Sequence, residues 1–237
     1  MRQISLIIPT LNEEENIHSL LSRIEKVSER IRTGFSLEVI IIDDASEDKT
    51  VFEILKFKKN SRLEIKIIKR EERGLATAVL AGFSAAKGNL LSVIDADLSH
   101  PPEVLIDLSE KIDEAEIVVA SRLIKGGGVE DWPRTRKMLS RMGIWLTGFL
   151  GIGIKDPMSG FFLLKRSVIE KINLNPLGYK ILLEILVKGD YKTCLEVPYI
   201  FLNRGIGKSK IGLKVETDYL RHFIRLLKWK YFNKRRH

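Results

Sequence analysis

Asp95 and Asp97 stand one residue apart at the end of the apolar run LLSVI, residues 90–94. Carboxylates two positions apart on an extended backbone point to the same side, and held that close they repel one another. A divalent cation with oxygen ligands relieves that repulsion. A short acidic pair is more often a solvated turn, here ahead of Pro101 and Pro102, so the surroundings decide. A second acidic pair, Asp43-Asp44, closes another apolar run, LEVIII, and Pro9-Thr10-Leu11-Asn12-Glu13 closes a third. Polar and acidic groups therefore gather where several strands end.

The elements that position these residues follow from periodicity. Strand-length apolar runs recur at 4–9, 37–43, 64–69, 90–95, 116–121, 161–164 and 195–201. Between the first five lie helical stripes: Leu20, Leu21, Ile24 and Val27; Val51, Ile54 and Leu55; Leu75, Val79 and Phe83; Val104, Leu105 and Leu108. Strand and helix alternate about every 25 to 30 residues, the rhythm of βαβ crossovers and a mostly parallel sheet. Continuous apolarity fits a sheet covered on both faces. Asn12 before three glutamates, Ser46 before Glu47 and Asp48, and Pro101-Pro102 before Glu103 read as helix starts. In an open parallel sheet ligands bind outside the carboxyl ends of the strands, the edge where the acids collect.

Composition limits what such an edge can serve. A chain of 237 residues with 44% hydrophobic residues suits one α/β domain. Its single cysteine, Cys194, permits no intrachain disulfide and points to a reducing compartment. The first apolar run breaks at Pro9, too short for a signal peptide or a span, so a soluble or peripheral protein is expected. From Arg204 onward eleven Lys and Arg face two acids, and this stretch holds the whole net charge of +9. A basic tail on a neutral body suits an anionic partner, lipid or nucleic acid.

Several stretches resemble the family-2 glycosyltransferases of GT-A fold: IIPTLNEEENI, IIDDASEDKT, RGLATAVLAGF, IDADLSHPPE, Ser121-Arg122 and above all KDPMSGFFLLKR (155–166). Within that family they are similar to the dolichyl-phosphate mannose synthases, from residue 4 to about residue 230. The resemblance implies a GT-A (Rossmann-like) fold, with a catalytic domain over 1–212 and a basic amphipathic helix over 213–237 continuing it. It implies inverting transfer of mannose from GDP-mannose to dolichyl or another polyprenyl phosphate. The alternative is another sugar nucleotide such as UDP-glucose.

Carried over by motif, Pro9, Leu11, Glu13, Ile42 and Asp44 border the base and ribose, and Asp95 and Ala96 contact the ribose and diphosphate. Asp97 binds Mg²⁺ or Mn²⁺, with Asp95 and Ser99 beside it. Leu11 stands where many members carry Tyr, and Ser99 where many carry Gln. Positive charge for two anionic substrates comes from Arg122, Arg136, Arg204 and Lys210, and Arg is the better directed donor. The acceptor phosphate is already a nucleophile, so Asp156 is expected to shape the acceptor loop rather than act as base, with Gly160 allowing close backbone approach.

For lipid contact there are two candidates. The uncharged stretch 142–154 is too short to span a bilayer and suits either core or lipid surface. In the tail, Leu220, Phe223, Ile224, Leu227 and Tyr231 form one helical stripe and Arg221, Arg225 and Lys228 another, as in an interfacial helix. The expectation is a peripheral enzyme on the cytoplasmic face, anchored by a separate membrane protein. Nucleic acid is the disfavoured partner, because it leaves four acids without a role and acids repel phosphate backbones. The four histidines show no ligand-like spacing and are expected to be structural or on the surface.

Overall fold

The computed structural model describes residues 2–31, 33–130, 134–178, 180–203 and 213–233. β1 (Arg2–Thr10), β2 (Phe35–Asp43), β3 (Glu64–Lys69), β4 (Leu90–Val93) and β5 (Ile117–Ser121) alternate with α1 (Ile17–Arg30), α2 (Thr50–Lys58), α3 (Leu75–Ala85) and α4 (Val104–Lys111). Then come β6 (Gly128–Val129), α5 (Arg134–Thr147), β7 (Phe162–Lys165), α6 (Ser167–Glu170), α7 (Ile181–Lys188), β8 (Cys194–Pro198), β9 (Ile200–Phe201) and α8 (Leu213–Asn233). The main sheet has the order β3-β2-β1-β4-β7-β5-β8, with β7 antiparallel to both its neighbours. The mostly parallel sheet flanked by helices is therefore observed.

Successive residues of one strand serve opposite faces, which is why the strands read as unbroken apolar runs. Ile4, Leu6 and Ile8 join α1 and α4 in one core, while Ile7, Ile40 and Ile42 join α3 and α7 in the other. Gly82 lets α3 lie directly on β1, since a Cβ there would come within 2.4 Å of Ile7. The α1 and α4 stripes lie as expected, and Val79 and Phe83 of the α3 stripe are buried while Leu75 is only half-buried; in α2 Ile54 is buried and Leu55 is exposed.

Three local expectations change. First, α1 starts at Ile17, and Asn12 is no cap but a left-handed turn residue with φ 56°. Its Nδ/Oδ group is committed elsewhere: Oδ1 accepts from Glu47 N (2.8 Å) while its own N–H donates to Ser46 Oγ (2.9 Å). Ser46 likewise does not cap α2; its hydroxyl donates to Asp43, and Asp48 accepts from Thr50 at the helix start instead. Second, β4 ends at Val93 and the chain turns at 96–97. Third, the expected strand 195–201 breaks after Pro198, so that β9 leaves the main sheet and pairs with β6.

The last helix is anchored by charge as well as by apolar contact. His222, Phe223 and Leu226 of α8 are buried against α7 and Leu150. Inside this contact Glu184 of α7, fully buried, accepts from Asn175 N (3.0 Å) and pairs with Lys188, and it lies 3.9 Å from Arg225 and 4.0 Å from His222. The interfacial stripe drawn from sequence is thus divided: Phe223 faces inward and Arg225 turns to Glu184, while Leu220, Ile224 and Tyr231 stay exposed.

Burial pushes the His222 imidazole down to about 4, with Glu184 opposing and Arg225 and Lys188 adding to the shift. The unfolded chain binds this proton near the ordinary value of about 6.5 and the folded chain refuses it. Stability should therefore fall as pH drops from about 6.5 toward 4, by at most about 1.4 kcal/mol per pH unit from this group. Urea midpoints at pH 7 and pH 5 check this. His222→Leu should flatten the difference, and an unchanged difference would exclude the histidine as its source.

Candidate active site

The chain reverses its direction of travel across the sheet between β1 and β4, the switch point at which open α/β sheets form their ligand crevice. Ile7 pairs with Val93, and Ile94 N donates to Ile7 O (3.1 Å), so the segments leaving both strands emerge side by side. On the other flank Pro9 pairs with Ile42 and Asp44 N donates to Thr10 O (3.0 Å). Pro9, Ile42, Asp44, Asp95, Ala96 and Asp97 thus share one edge. Asn12, Ala45 and Leu98, the non-glycine residues with positive φ among those described, sit in the segments that follow β1, β2 and β4 (φ 56°, 58° and 62°). Each left-handed residue costs on the order of 1 kcal/mol, and such strain collects at functional sites.

The acids differ in what they do. Asp43 is buried and accepts from Ser46, so it holds the β2 turn. Asp44, also buried, accepts from Gly74 N (2.8 Å) and faces Arg70 at 3.2 Å. Burial raises its carboxyl above the usual range, against the Gly74 N–H and Arg70. Arg70 and Gly74 were not read from the sequence as site residues, although Gly74 lies within the RGLATAVLAGF stretch and Arg70 three residues before it.

Asp95 and Asp97 are not the twin open carboxylates that an extended strand would present. Asp95 keeps 31% of its side chain exposed, whereas Asp97 is 4% exposed and accepts from Ser99 N at 3.0 Å, closing a turn around Leu98. Ser99 Oγ is buried with no hydrogen-bond partner among the described residues. A carboxylate and an unsatisfied hydroxyl in one turn, with a second carboxylate two residues before, form an oxygen-only donor set that fits Mg²⁺ or Mn²⁺. No group of three or more His, Cys, Asp or Glu that could hold a metal occurs among the described residues. Glu13 N donates to Thr50 Oγ1 (2.7 Å), tying the β1 loop to α2, and Leu11 is half-buried beside it.

Arg122, just after β5, reaches the same edge because β5 runs parallel to β4. Its guanidinium lies bidentate on Asp156, at 2.8 and 2.7 Å, and its N–H donates to the same carboxylate (3.0 Å). Asp156 is fully buried, and Glu196 holds the amides of Lys155 and Asp156 at 2.8 and 3.0 Å. A carboxylate so engaged anchors Arg122. Gly160 of the same loop brings its backbone against the acidic turn: a Cβ there would lie 3.2 Å from both Asp95 Oδ2 and His100 Nε2. Acidic and basic candidates therefore meet on one side of the molecule. Arg204 and Lys210 lie outside the described residues; Arg136 is placed on α5 by its backbone, and its side chain is likewise outside them.

The sequence matches the description glycosyl transferase family 2 over residues 5–173. The chain belongs to that family. A dolichol-phosphate mannosyltransferase of Pyrococcus furiosus is 44% identical over 233 residues, covering 96% of this chain and 64% of its own length. This chain thus spans a little under two thirds of that relative. One of Saccharomyces cerevisiae is 35% identical over 238 residues, covering 97% of this chain and 88% of its own. In fold, this family-2 chain is similar to the crystal structure of glucosyl-3-phosphoglycerate synthase from Mycobacterium tuberculosis in complex with Mn²⁺, UDP and glucosyl-3-phosphoglycerate. The TM-score is 0.65 at 19% identity, over 97% of this chain and 80% of that one. The glycosyltransferase GT-A fold is thereby shown.

Proposed function

We propose that this glycosyltransferase moves mannose from GDP-mannose to a polyprenyl phosphate such as dolichyl phosphate, with inversion. The observation that carries the reading is the meeting of the acidic β4 turn and the Arg122–Asp156 loop at one sheet edge. Relatives named dolichol-phosphate mannosyltransferase align along nearly the whole chain.

Pro9, Leu11, Glu13, Ile42 and Asp44 border the nucleoside, Asp95 and Ala96 the ribose and diphosphate. Asp97, Ser99 and Asp95 would hold Mg²⁺ or Mn²⁺. The cation supplies charge neutralisation for the departing diphosphate. Arg122, with Arg136, Arg204 and Lys210, offsets the repulsion between two anionic substrates. An acceptor phosphate oxygen attacks the anomeric carbon as its bond to the donor phosphate breaks, and GDP leaves with that electron pair. A phosphate monoester is mostly ionised near neutral pH, so no protein base is required. Asp156, occupied by Arg122, is consistent with that.

Support for a membrane-surface location comes from two exposed apolar stripes. Met138, Met142, Trp145 and Phe149 line α5 and the turn after it, and Leu220, Ile224, Tyr231 and Phe232 line α8. Tyr219 donates to Gly143 O (2.7 Å) and Lys230 to Leu150 O, joining the two helices. No helix among the described residues is long and apolar enough to cross a membrane. We read the face as peripheral, on the cytoplasmic side, where sugar nucleotides are made. Trp145→Glu with Phe149→Glu should weaken binding to anionic lipid vesicles at least about tenfold, since each apolar side chain buried contributes roughly 1.5–3 kcal/mol. Transfer to a short, water-soluble prenyl phosphate should be unchanged. Vesicle binding equal to wild type would remove this face from the account.

The reaction itself is tested by incubating the protein with Mn²⁺, a short polyprenyl phosphate and labelled sugar nucleotides. Label should enter the organic phase from GDP-mannose. Label from UDP-glucose alone would overturn the donor assignment.

A further inference from the structure

His100, which sequence spacing leaves without a role, is 2% exposed and lies at the bottom of the site. Its Nε2 is 3.2 Å from Asp95 Oδ2. The ring stacks on Tyr199 (centroids 5.4 Å, 25°) and takes the edges of Phe161 (5.8 Å, 80°) and Phe201 (5.2 Å, 88°). Tyr199 and Phe201 arrive there because the strand breaks after Pro198, and Leu202 N donates to Ser99 O (3.0 Å), fastening that break to the acidic turn. Three aromatic contacts fix the ring plane, and the ring plane fixes the direction of Nε2.

His100 Nδ1 is buried with no hydrogen-bond partner among the described residues. A proton on Nδ1 would strand a buried donor and turn the Nε2 lone pair toward a carboxylate. With the proton on Nε2, the ring donates to Asp95, and the unpaired Nδ1 holds a lone pair rather than a stranded N–H. Gly160 closes the other side, its missing Cβ leaving 3.2 Å to Oδ2 and Nε2 alike. Asp95 Oδ2 is thus committed between an aromatic-held donor and a backbone wall.

We propose that His100 is a positioning residue that sets the orientation of Asp95 toward the sugar nucleotide and its cation. This rests on the nucleotide reading of the acidic turn. A dipolar donor orients a carboxylate and leaves its charge in place, whereas Arg or Lys would neutralise it. Asp95 therefore meets an incoming cation–diphosphate already turned, without an ordering cost on binding. The device resembles in kind the outer hydrogen bonds that aim metal-site ligands.

The test is calorimetric titration of the full chain with GDP in the presence of MnCl₂. His100→Phe keeps an aromatic ring in the box and removes the donor; His100→Gln restores a donor at about the reach of Nε2. His100→Phe should weaken Mn²⁺-dependent GDP binding about tenfold, equivalent to ~1.4 kcal/mol, and His100→Gln should recover to within about threefold of wild type. In transfer assays the loss should fall on KM for the donor more than on kcat. Gly160→Ala, which keeps the histidine and presses on the pair, should weaken binding in the same direction. Unchanged affinity in both His100→Phe and Gly160→Ala would overturn the proposal. So would equal weakening by His100→Phe and His100→Gln, which marks a packing role. Absence of Mn²⁺-dependent GDP binding by the wild type would instead overturn the nucleotide reading, and the proposal with it.

Discussion

Asp97→Ala is expected to reduce transfer by about 10³-fold or more while leaving the fold intact. A cation at a departing diphosphate contributes several kcal/mol to the barrier, and ~4 kcal/mol is about three powers of ten in rate. The alanine also removes the acceptor of Ser99 N, a bond of 3.0 Å in a buried turn. Leaving that amide unsatisfied costs roughly 1–3 kcal/mol. Asp97→Asn separates the two effects, because an amide oxygen still accepts from Ser99 while the charge is gone. The asparagine variant should melt within a few degrees of wild type and stay nearly inactive. Circular dichroism melting alongside the transfer assay measures both. Full turnover by either variant contradicts a cation at this residue.

Asp156→Ala should carry the largest stability loss in the site. Arg122 is 10% exposed and Asp156 fully buried, and the pair is bidentate with a third bond from the Arg122 amide. Removing one partner of such a pair strands a buried charge and costs about 3–5 kcal/mol. For a domain of this size that corresponds to a fall in Tm on the order of 10 °C. Activity should fall too, because the guanidinium loses the fork that orients it. A general base would show itself in the rate: Asp156→Asn would then abolish transfer and remove the acidic limb of the pH–rate profile. The positioning role predicts that this limb stays in place.

The sheet was legible because its signal is local. Runs such as VIII and VIDA carry their burial in adjacent residues, and the α1 stripe of Leu20, Leu21, Ile24 and Val27 repeats within four turns. The acidic edge was legible for the same reason, since Asp43-Asp44 and Asp95-Ala96-Asp97 adjoin the apolar runs that precede them. What escaped depends on partners far away in the chain. Asn12 looks like a helix cap until Ser46 and Glu47 are seen to occupy it. Arg225 reads as part of a free basic face until Glu184, 41 positions earlier, is found buried beneath it. His100 has no spacing motif because its box is assembled from Phe161, Tyr199 and Phe201. The enclosure of Asp97 follows from the left-handed Leu98, a conformation that leucine rarely adopts and that no sequence pattern announced.

The most direct measurement is a crystal structure of the protein grown with MnCl₂ and GDP, with anomalous diffraction recorded for manganese. One strong anomalous peak is expected, bonded to the Asp97 carboxylate and to oxygens of the diphosphate, with Asp95 still turned as His100 holds it. A manganese peak away from Asp97, or GDP seated away from the β1–β4 edge, would contradict it.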